Sequence, residues 1–296
     1  MISNECVAIT GASGLLGREI VSELASRYEL RGLDIAIGKS NQSIRYADIL
    51  NLDALRSAFD ACTAVVHGAG LQIGPAPEKI FSTNAVGTWN VLQAASETGV
   101  RKVVLISSEC AVGVVSLANT PSVPHYLPID LEHPLLPADA YGVSKQTSEA
   151  IARAFSGRSM QVVTLRPVSV YVPGMESLLR QAQGEDDPYL WHYVEGRDVA
   201  RAVRLALEYD GPNYDCFFIG APDTFSAEET LALVRRRYGE LPEIRRPDVY
   251  SRNPHATIYD ISRAQRLLGF EPLSNWREFL DREKLAVARP SGWGRG

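Results

Sequence analysis

The chain has 296 residues, 45% of them hydrophobic and 22% charged, with a formal net charge of -5 and a pI near 5.6. That balance belongs to a soluble globular protein rather than a disordered one, and the lack of a basic excess or a Lys/Arg run argues against nucleic acid and anionic membrane as partners. Cys6, Cys62, Cys110 and Cys216 form no C-x-x-C pair, and no window approaches the roughly 20 apolar residues of a membrane span, so a cytoplasmic protein with reduced thiols and no metal site is expected.

Short β-rich runs alternate with helical patterns. CVAIT leads into LLGREIVSELASR; YELRGLD and SIRYADI precede NLDALRSAF; AVVHGAG precedes a helix through FSTNAVGTWNVLQAASE; KVVLISS is followed by a helix holding AYGVSKQTSEA, and then QVVTLRPV. Apolar runs bounded by helices indicate strands buried on both faces of a parallel sheet, hence a doubly wound α/β plan. After residue 168 the rhythm loosens. Asp198 reads as an N-cap for VARAVRLALEY, CFFIG reads as a strand, and SAEETLALVRRRYG and ISRAQRLLGFEPLSNWREFL follow. The expected division is a nucleotide-binding domain over 1–168, with 198–220 returning to it, a small substrate lobe from 169–197 and 221–288, and a flexible tail over 289–296.

Between the first strand and first helix, TGASGLLG spaces Gly11, Gly14 and Gly17 as G-x-x-G-x-x-G. Glycine allows the tight turn and a close approach of backbone to pyrophosphate, and the helix N-terminus offers free N–H groups to the anion. Ser13, Leu15 and Leu16 share that loop. Asp34 ends the second strand 23 residues after Gly11, where a carboxylate accepts both adenosine-ribose hydroxyls and repels a 2′-phosphate. No arginine follows in IAIGKS, which favours NAD over NADP. Asp48, at the end of the third strand, reads equally as an adenine contact or as a helix cap.

Tyr141 and Lys145 are stacked neighbours on one helix face, either a catalytic pair or two solvated side chains. The other motifs decide: TGASGLLG, Asp34, Asp48 in ADI, VVHGAG at 65–70, N-x-x-G-T from Asn84, ISS at 106–108, YGVSK at 141–145, LRPVSVYVPG at 165–174, RDVARA at 197–202 and LLGFEP at 267–272. Together they resemble the extended short-chain dehydrogenase/reductase superfamily, in its NAD-dependent epimerase/dehydratase family. The resemblance implies a Rossmann-type sheet, bound NAD, and hydride transfer at a carbinol carbon, usually of a sugar. It makes Tyr141 the general acid/base, Lys145 the residue that binds nicotinamide ribose and favours the phenolate, and Ser108 a hydrogen-bond donor to the substrate oxygen. It also assigns Ile49, Gly68, Ala69, Gly70, Asn84, Ser107 and Val168 to the cofactor wall and implies a homodimer through the helix around Asn84–Ser96 and the Tyr141 helix. His67 reads as a packed histidine of that wall. Gly142 reads as a place where a ligand comes close, and Trp191, His192 and Tyr193 as core more than pocket.

Two departures shape the substrate expectation. Val112 stands where many relatives carry tyrosine, and Glu109 and Cys110 hold the positions of an acid pair in the dehydratase branch. Glu109 reads equally as a substrate contact and as a solvated loop carboxylate. Only 23 residues lie between Gly174 and Asp198, with Arg180 and Arg197 as cations, where nucleotide-sugar relatives carry a longer insertion. A nucleoside diphosphate is therefore disfavoured. Glu109, Cys110, Tyr171 and Arg180 are the candidate substrate contacts. The expected activity is an NAD-dependent oxidoreductase acting on a small-molecule, compact, sugar-like or polyhydroxylated substrate. The alternatives are a nucleotide-sugar epimerase or dehydratase that retains NAD, and a non-catalytic NAD-sensing protein.

Overall fold

Seven strands pair in parallel in the computed structural model, which describes residues 5–36, 44–72, 76–116, 122–157, 159–173, 175 and 191–278. They are β1 (Cys6–Thr10), β2 (Glu29–Asp34), β3 (Ile44–Tyr46), β4 (Ala64–His67), β5 (Lys102–Ile106), β7 (Gln161–Pro167) and β10 (Tyr214–Ile219), ordered β10-β7-β5-β4-β1-β2-β3. Successive side chains point to opposite faces, so Ala8, Val65, Val103 and Val162 enter one core while Ile9, Val66, Val104 and Val163 enter the other. That is why these strands read as unbroken apolar runs. The tail over 289–296 lies outside the described residues.

Helix α1 (Leu15–Leu24) starts directly after the glycine loop. Helix α2 (Leu52–Phe59) is capped by Asn51, whose Oδ1 accepts from Ala54 N at 3.0 Å; Asp48 instead accepts from Leu50 N at 2.9 Å and is not the cap. Helix α3 (Pro77–Glu97) opens on a proline, which fits the first turn, and so begins before the FSTN pattern. Helix α4 (Ala140–Phe155) is capped by Asp139, accepting from Gly142 N at 2.7 Å.

Helix α5 (Gly196–Glu208) covers the sheet face opposite α2, α3 and α4 and packs on α1. The N-cap position is Glu195, not Asp198. Asp198 lies inside the first turn, buried, and accepts from the backbone N–H groups of Leu273 (3.1 Å) and Ser274 (3.0 Å) while pairing with Arg201 (2.8 Å). Its carboxylate ties the late part of the chain to the domain rather than starting the helix.

The remaining elements follow or flank these strands. They are the two-residue strand pairs β6 (Tyr126–Leu127) with β11 (Glu243–Ile244) and β8 (Val170–Tyr171) with β9 (Val194–Glu195), and the helices α6 (Thr230–Tyr238), α7 (Pro247–Arg252) and α8 (Ser262–Leu268). Among the described residues no helix is long and apolar enough to cross a membrane, and no cluster of His, Cys, Asp and Glu is arranged to hold a metal.

Candidate active site

The loops that leave β1, β2, β4 and β5 meet at the C-terminal edge of the sheet, the usual ligand crevice of an open α/β fold. Gly11 has φ +78°, and a Cβ there would sit 2.8 Å from Ala69 N; one on Gly17 would sit 2.0 Å from Gly11 O. Both glycines are demanded by the protein's own backbone. Gly14 has an ordinary φ of -64° and precedes α1, leaving the first-turn N–H groups at Leu15 and Leu16 uncovered by any side chain of its own. Leu15 is exposed and Leu16 half-buried.

Asp34 reaches into this loop. Its two carboxylate oxygens accept from Ser13 N and Ala36 N, each at 2.9 Å, and the Ser13 hydroxyl donates to Ala36 O at 2.6 Å. A carboxylate has about four lone-pair sites, so acceptor capacity remains on both oxygens. Ile49 is packed under α3, its side chain filling the space a Cβ on Gly87 would need. The 68–70 turn is held on one side by Ala69 N donating to Thr10 Oγ1 (3.3 Å), and on the other by Asn84 beside Gly70. Asn84 is fully engaged: Oδ1 accepts from Leu71 N, and Nδ2 donates to Leu71 O and to Ser144 Oγ. Its side chain bridges the β4 loop to α4.

His67 is packed, not catalytic. Its Nδ1 lies 2.8 Å from Thr10 Oγ1 and its Nε2 3.1 Å from Thr88 Oγ1, and burial, aided by the charge of Lys145, lowers it to about 3.

Ser108 leaves the end of β5 and caps a short 3-10 turn over Glu109–Ala111, accepting from Cys110 N at 3.1 Å. Its hydroxyl also donates to Glu109 Oε2 at 3.2 Å and is a close neighbour of the Tyr141 phenol. Capping and site geometry are thus both properties of Ser108. Tyr141 is half-buried; burial, then the charges of Cys110 and Glu109, push its phenol well above the usual range, and only the Ser108 hydrogen bond substantially opposes them. Lys145 is buried one helical turn on. Its Nζ donates to Ile106 O at 2.9 Å and stands 5.6 Å from the centre of the Tyr141 ring, and burial lowers it to about 8.

Several sequence expectations change here. Gly142 makes room for protein, not ligand: a Cβ would lie 2.6 Å from Cys110 O and 2.9 Å from Pro137 Cβ, so α4 and the 3-10 turn touch backbone to helix. Glu109 is buried, not solvated. Ser107 turns its hydroxyl away, donating at 2.6 Å to Glu149, which also holds Arg166 bidentately at 2.8 and 2.6 Å. Cys110 is buried with its thiol pushed up by that burial and by Glu109. Val168 is buried at the end of β7, and Tyr171 stands edge-on to Phe225. Arg197 is exposed and ion-paired with Glu195. Arg180 and Gly174 lie outside the described residues.

Two residues reach the site without a motif to announce them. His192, fully buried, places Nε2 3.5 Å from Glu109 Oε1, and Tyr259 from the 221–288 stretch stands edge-on to His192 with ring centres 4.9 Å apart. His192 was visible only as part of an aromatic run; Tyr259 had no sequence signal.

A glycine loop against an acidic strand end, with a Ser/Tyr/Lys group at the next loop, is an arrangement other proteins share. The model of the NAD dependent epimerase/dehydratase family matches residues 7–220. The chain belongs to this family. It is an enzyme, and its cofactor is NAD. The residues fit that cofactor: a bare glycine turn at a helix N-terminus for the pyrophosphate, and Asp34 with lone pairs to spare for the ribose.

Among similar proteins is the NAD-dependent glucose-6-phosphate dehydrogenase of Haloferax volcanii, 26% identical over 287 residues, covering 92% of this chain and 95% of that one. Another is the UDP-glucose 4-epimerase of Lacticaseibacillus casei, 26% identical with 90% and 91% covered. A short-chain dehydrogenase/reductase superfamily protein from Agrobacterium tumefaciens, solved with bound NAD, superposes with a TM-score of 0.71 at 21% identity, covering 96% of this chain and 99% of that one.

Proposed function

We propose that this family member is an NAD-dependent dehydrogenase that acts at a secondary alcohol or carbonyl of a compact, sugar-like substrate. The observation that carries the reading is the grouping of Ser108, which caps the turn after β5 beside the Tyr141 phenol, with the Lys145 ammonium, held by Ile106 O and standing 5.6 Å from the centre of the Tyr141 ring. A substrate oxygen placed between the two hydroxyls receives a hydrogen bond from Ser108 and exchanges its proton with Tyr141. In the oxidation direction the carbon loses hydride and the oxygen loses its proton, so a carbonyl forms. NAD, when bound, accepts the hydride and brings a positive ring to the site. Burial and Glu109 favour the neutral phenol, so positive charge at the site is what opens the way to the phenolate base. Lys145, fixed by Ile106 O, supports the ribose and contributes part of that charge.

Tyr141→Phe should abolish turnover and leave NAD affinity within a few-fold, because the ring still packs while the transferable proton is gone. NADH formation with a sugar panel reads the first and calorimetry the second; undiminished turnover in the variant would overturn the mechanism.

The epimerase among the relatives favours a second reading, in which hydride returns to a nucleotide sugar. Against it, Arg166 is committed to Glu149 and Arg197 is exposed and paired with Glu195. Neither is free to hold a diphosphate. Micromolar affinity for UDP-glucose by calorimetry would promote this reading over the dehydrogenase.

A further inference from the structure

We infer that Glu109, His192 and Tyr259 form a recognition wall for an uncharged hydroxyl on the carbon next to the reacting one, which makes the substrate a neutral sugar or polyol rather than a sugar acid or sugar phosphate. The inference rests on the proposed dehydrogenase reading and gives it a substrate class.

The wall is contiguous with the reacting atoms. Ser108, beside the Tyr141 phenol, donates to Glu109 Oε2 at 3.2 Å, and Glu109 Oε1 lies 3.5 Å from His192 Nε2. An oxygen held between Tyr141 and Ser108 therefore has the Glu109 carboxylate one side chain away, within reach of a substituent on its neighbouring carbon.

The wall is also short of partners. Both ring nitrogens of His192 and the hydroxyl of Tyr259 are buried without a hydrogen-bond partner among the described residues, at 0% and 1% exposure. Buried polar groups are rarely left so, because each loses its water without replacement. Tyr259 is pushed well above the usual phenol range by burial, then by the charges of Glu109 and Cys110, so its hydroxyl stays protonated.

Donor and acceptor chemistry selects the ligand. A carboxylate only accepts, a phenol both donates and accepts, and a neutral imidazole offers one of each. A hydroxyl, itself donor and acceptor, satisfies Glu109 and either neighbour at once. A ligand carboxylate or phosphate brings acceptors and negative charge against Glu109. Arg166, whose charge reaches Tyr259, is held bidentately by Glu149, and Lys145 is held by Ile106 O. Arg166 is thus neutralised by Glu149, and the Lys145 charge serves the Tyr141 phenolate, so neither is left over for a ligand anion.

For an aldose reacting at C1 the recognised group is the C2 hydroxyl. The test compares rates of NADH formation with D-glucose, D-galactose and L-arabinose, with 2-deoxy-D-glucose and 2-deoxy-D-galactose, and with D-glucuronate, D-galacturonate and D-glucose 6-phosphate. Wild type should prefer the better of the two hexoses over its acid and over its 2-deoxy analogue by about tenfold or more in kcat/KM. In Glu109→Gln and in Tyr259→Phe the KM for the hydroxylated sugar should rise about tenfold while the deoxy analogue changes little, so the deoxy penalty shrinks to about two- or threefold. Glu109→Gln should also narrow the preference against the acid. A merely structural role would lower thermal stability and leave these ratios intact. Wild-type preference for an acid or phosphate, or a deoxy penalty unchanged in both variants, would overturn the inference alone. Absence of turnover with every sugar, neutral or anionic, would overturn the proposed function instead.

Discussion

Protons along the line Thr10–His67–Thr88–Ser148 have one consistent arrangement. Ser148 donates to Ser144 O, so its oxygen accepts from Thr88; Thr88 then accepts from His67 Nε2–H, and His67 Nδ1 accepts from Thr10, whose oxygen takes Ala69 N–H. A second ring proton would break this order, in keeping with the lowering of His67 to about 3. Between about 6.5 and 3 the unfolded chain takes up a proton that the native state refuses, so stability falls as pH drops through that window, by at most about 1.4 kcal/mol per pH unit. Denaturant titrations of wild type and His67→Gln should diverge in slope below pH 6.5, the variant losing less; parallel curves would show that His67 titrates normally. At this scale the sequence carried the spacing of Tyr141 and Lys145 and the position of Asp34, because those follow from local geometry. It did not carry Tyr259, which arrives from a distant segment, nor the burial of Glu109, which depends on what packs over the 3-10 turn.

Helix α4 is fitted against the 3-10 turn more closely than its amphipathic pattern suggests. Gly142 is the contact, and Gly142→Ala sets two effects against each other: a gain of up to about 1 kcal/mol in helix propensity, and about 1–3 kcal/mol of overpacking against Cys110 O and Pro137. Backbone on one side leaves little room to yield, so net destabilisation is expected, together with a fall in kcat as Ser108 is displaced from Tyr141. Thermal unfolding and steady-state kinetics check both; a more stable variant with full activity would mean that the turn gives way freely. The alternation of strand and helix was plain in the sequence because period and run length are local. The start of α3 at Pro77 and the true cap of α5 were not: Asp198 resembles a cap by type, yet its carboxylate serves Leu273 and Ser274, partners that only the tertiary fold supplies.

On α3 the side chains of Phe81, Val86 and Trp89 stay 39%, 50% and 49% exposed, beside α4, on which Trp89 meets Phe155 edge-on at 5.1 Å. We propose that this face joins two chains into a homodimer. Light scattering at micromolar concentration should give twice 32.4 kDa for wild type and 32.4 kDa for Trp89→Arg; a monomeric wild type would remove the dimer. The doubly wound plan was readable from the whole sequence, whereas the meeting of residues near 109, 192 and 259 was not, since no short-range pattern encodes which late loop covers which strand end. The packing of α1 on α5, with Arg204 reaching Glu23 at 2.8 Å, has a bearing on how the molecule is made. The helix beside the glycine loop is synthesised well before the surface that covers it, which is not complete until residue 208. Until then the nascent chain carries a dinucleotide turn on a helix whose apolar side is bare, so this stretch is a candidate for chaperone protection on the ribosome, and the cofactor site matures only after residue 208 has been added.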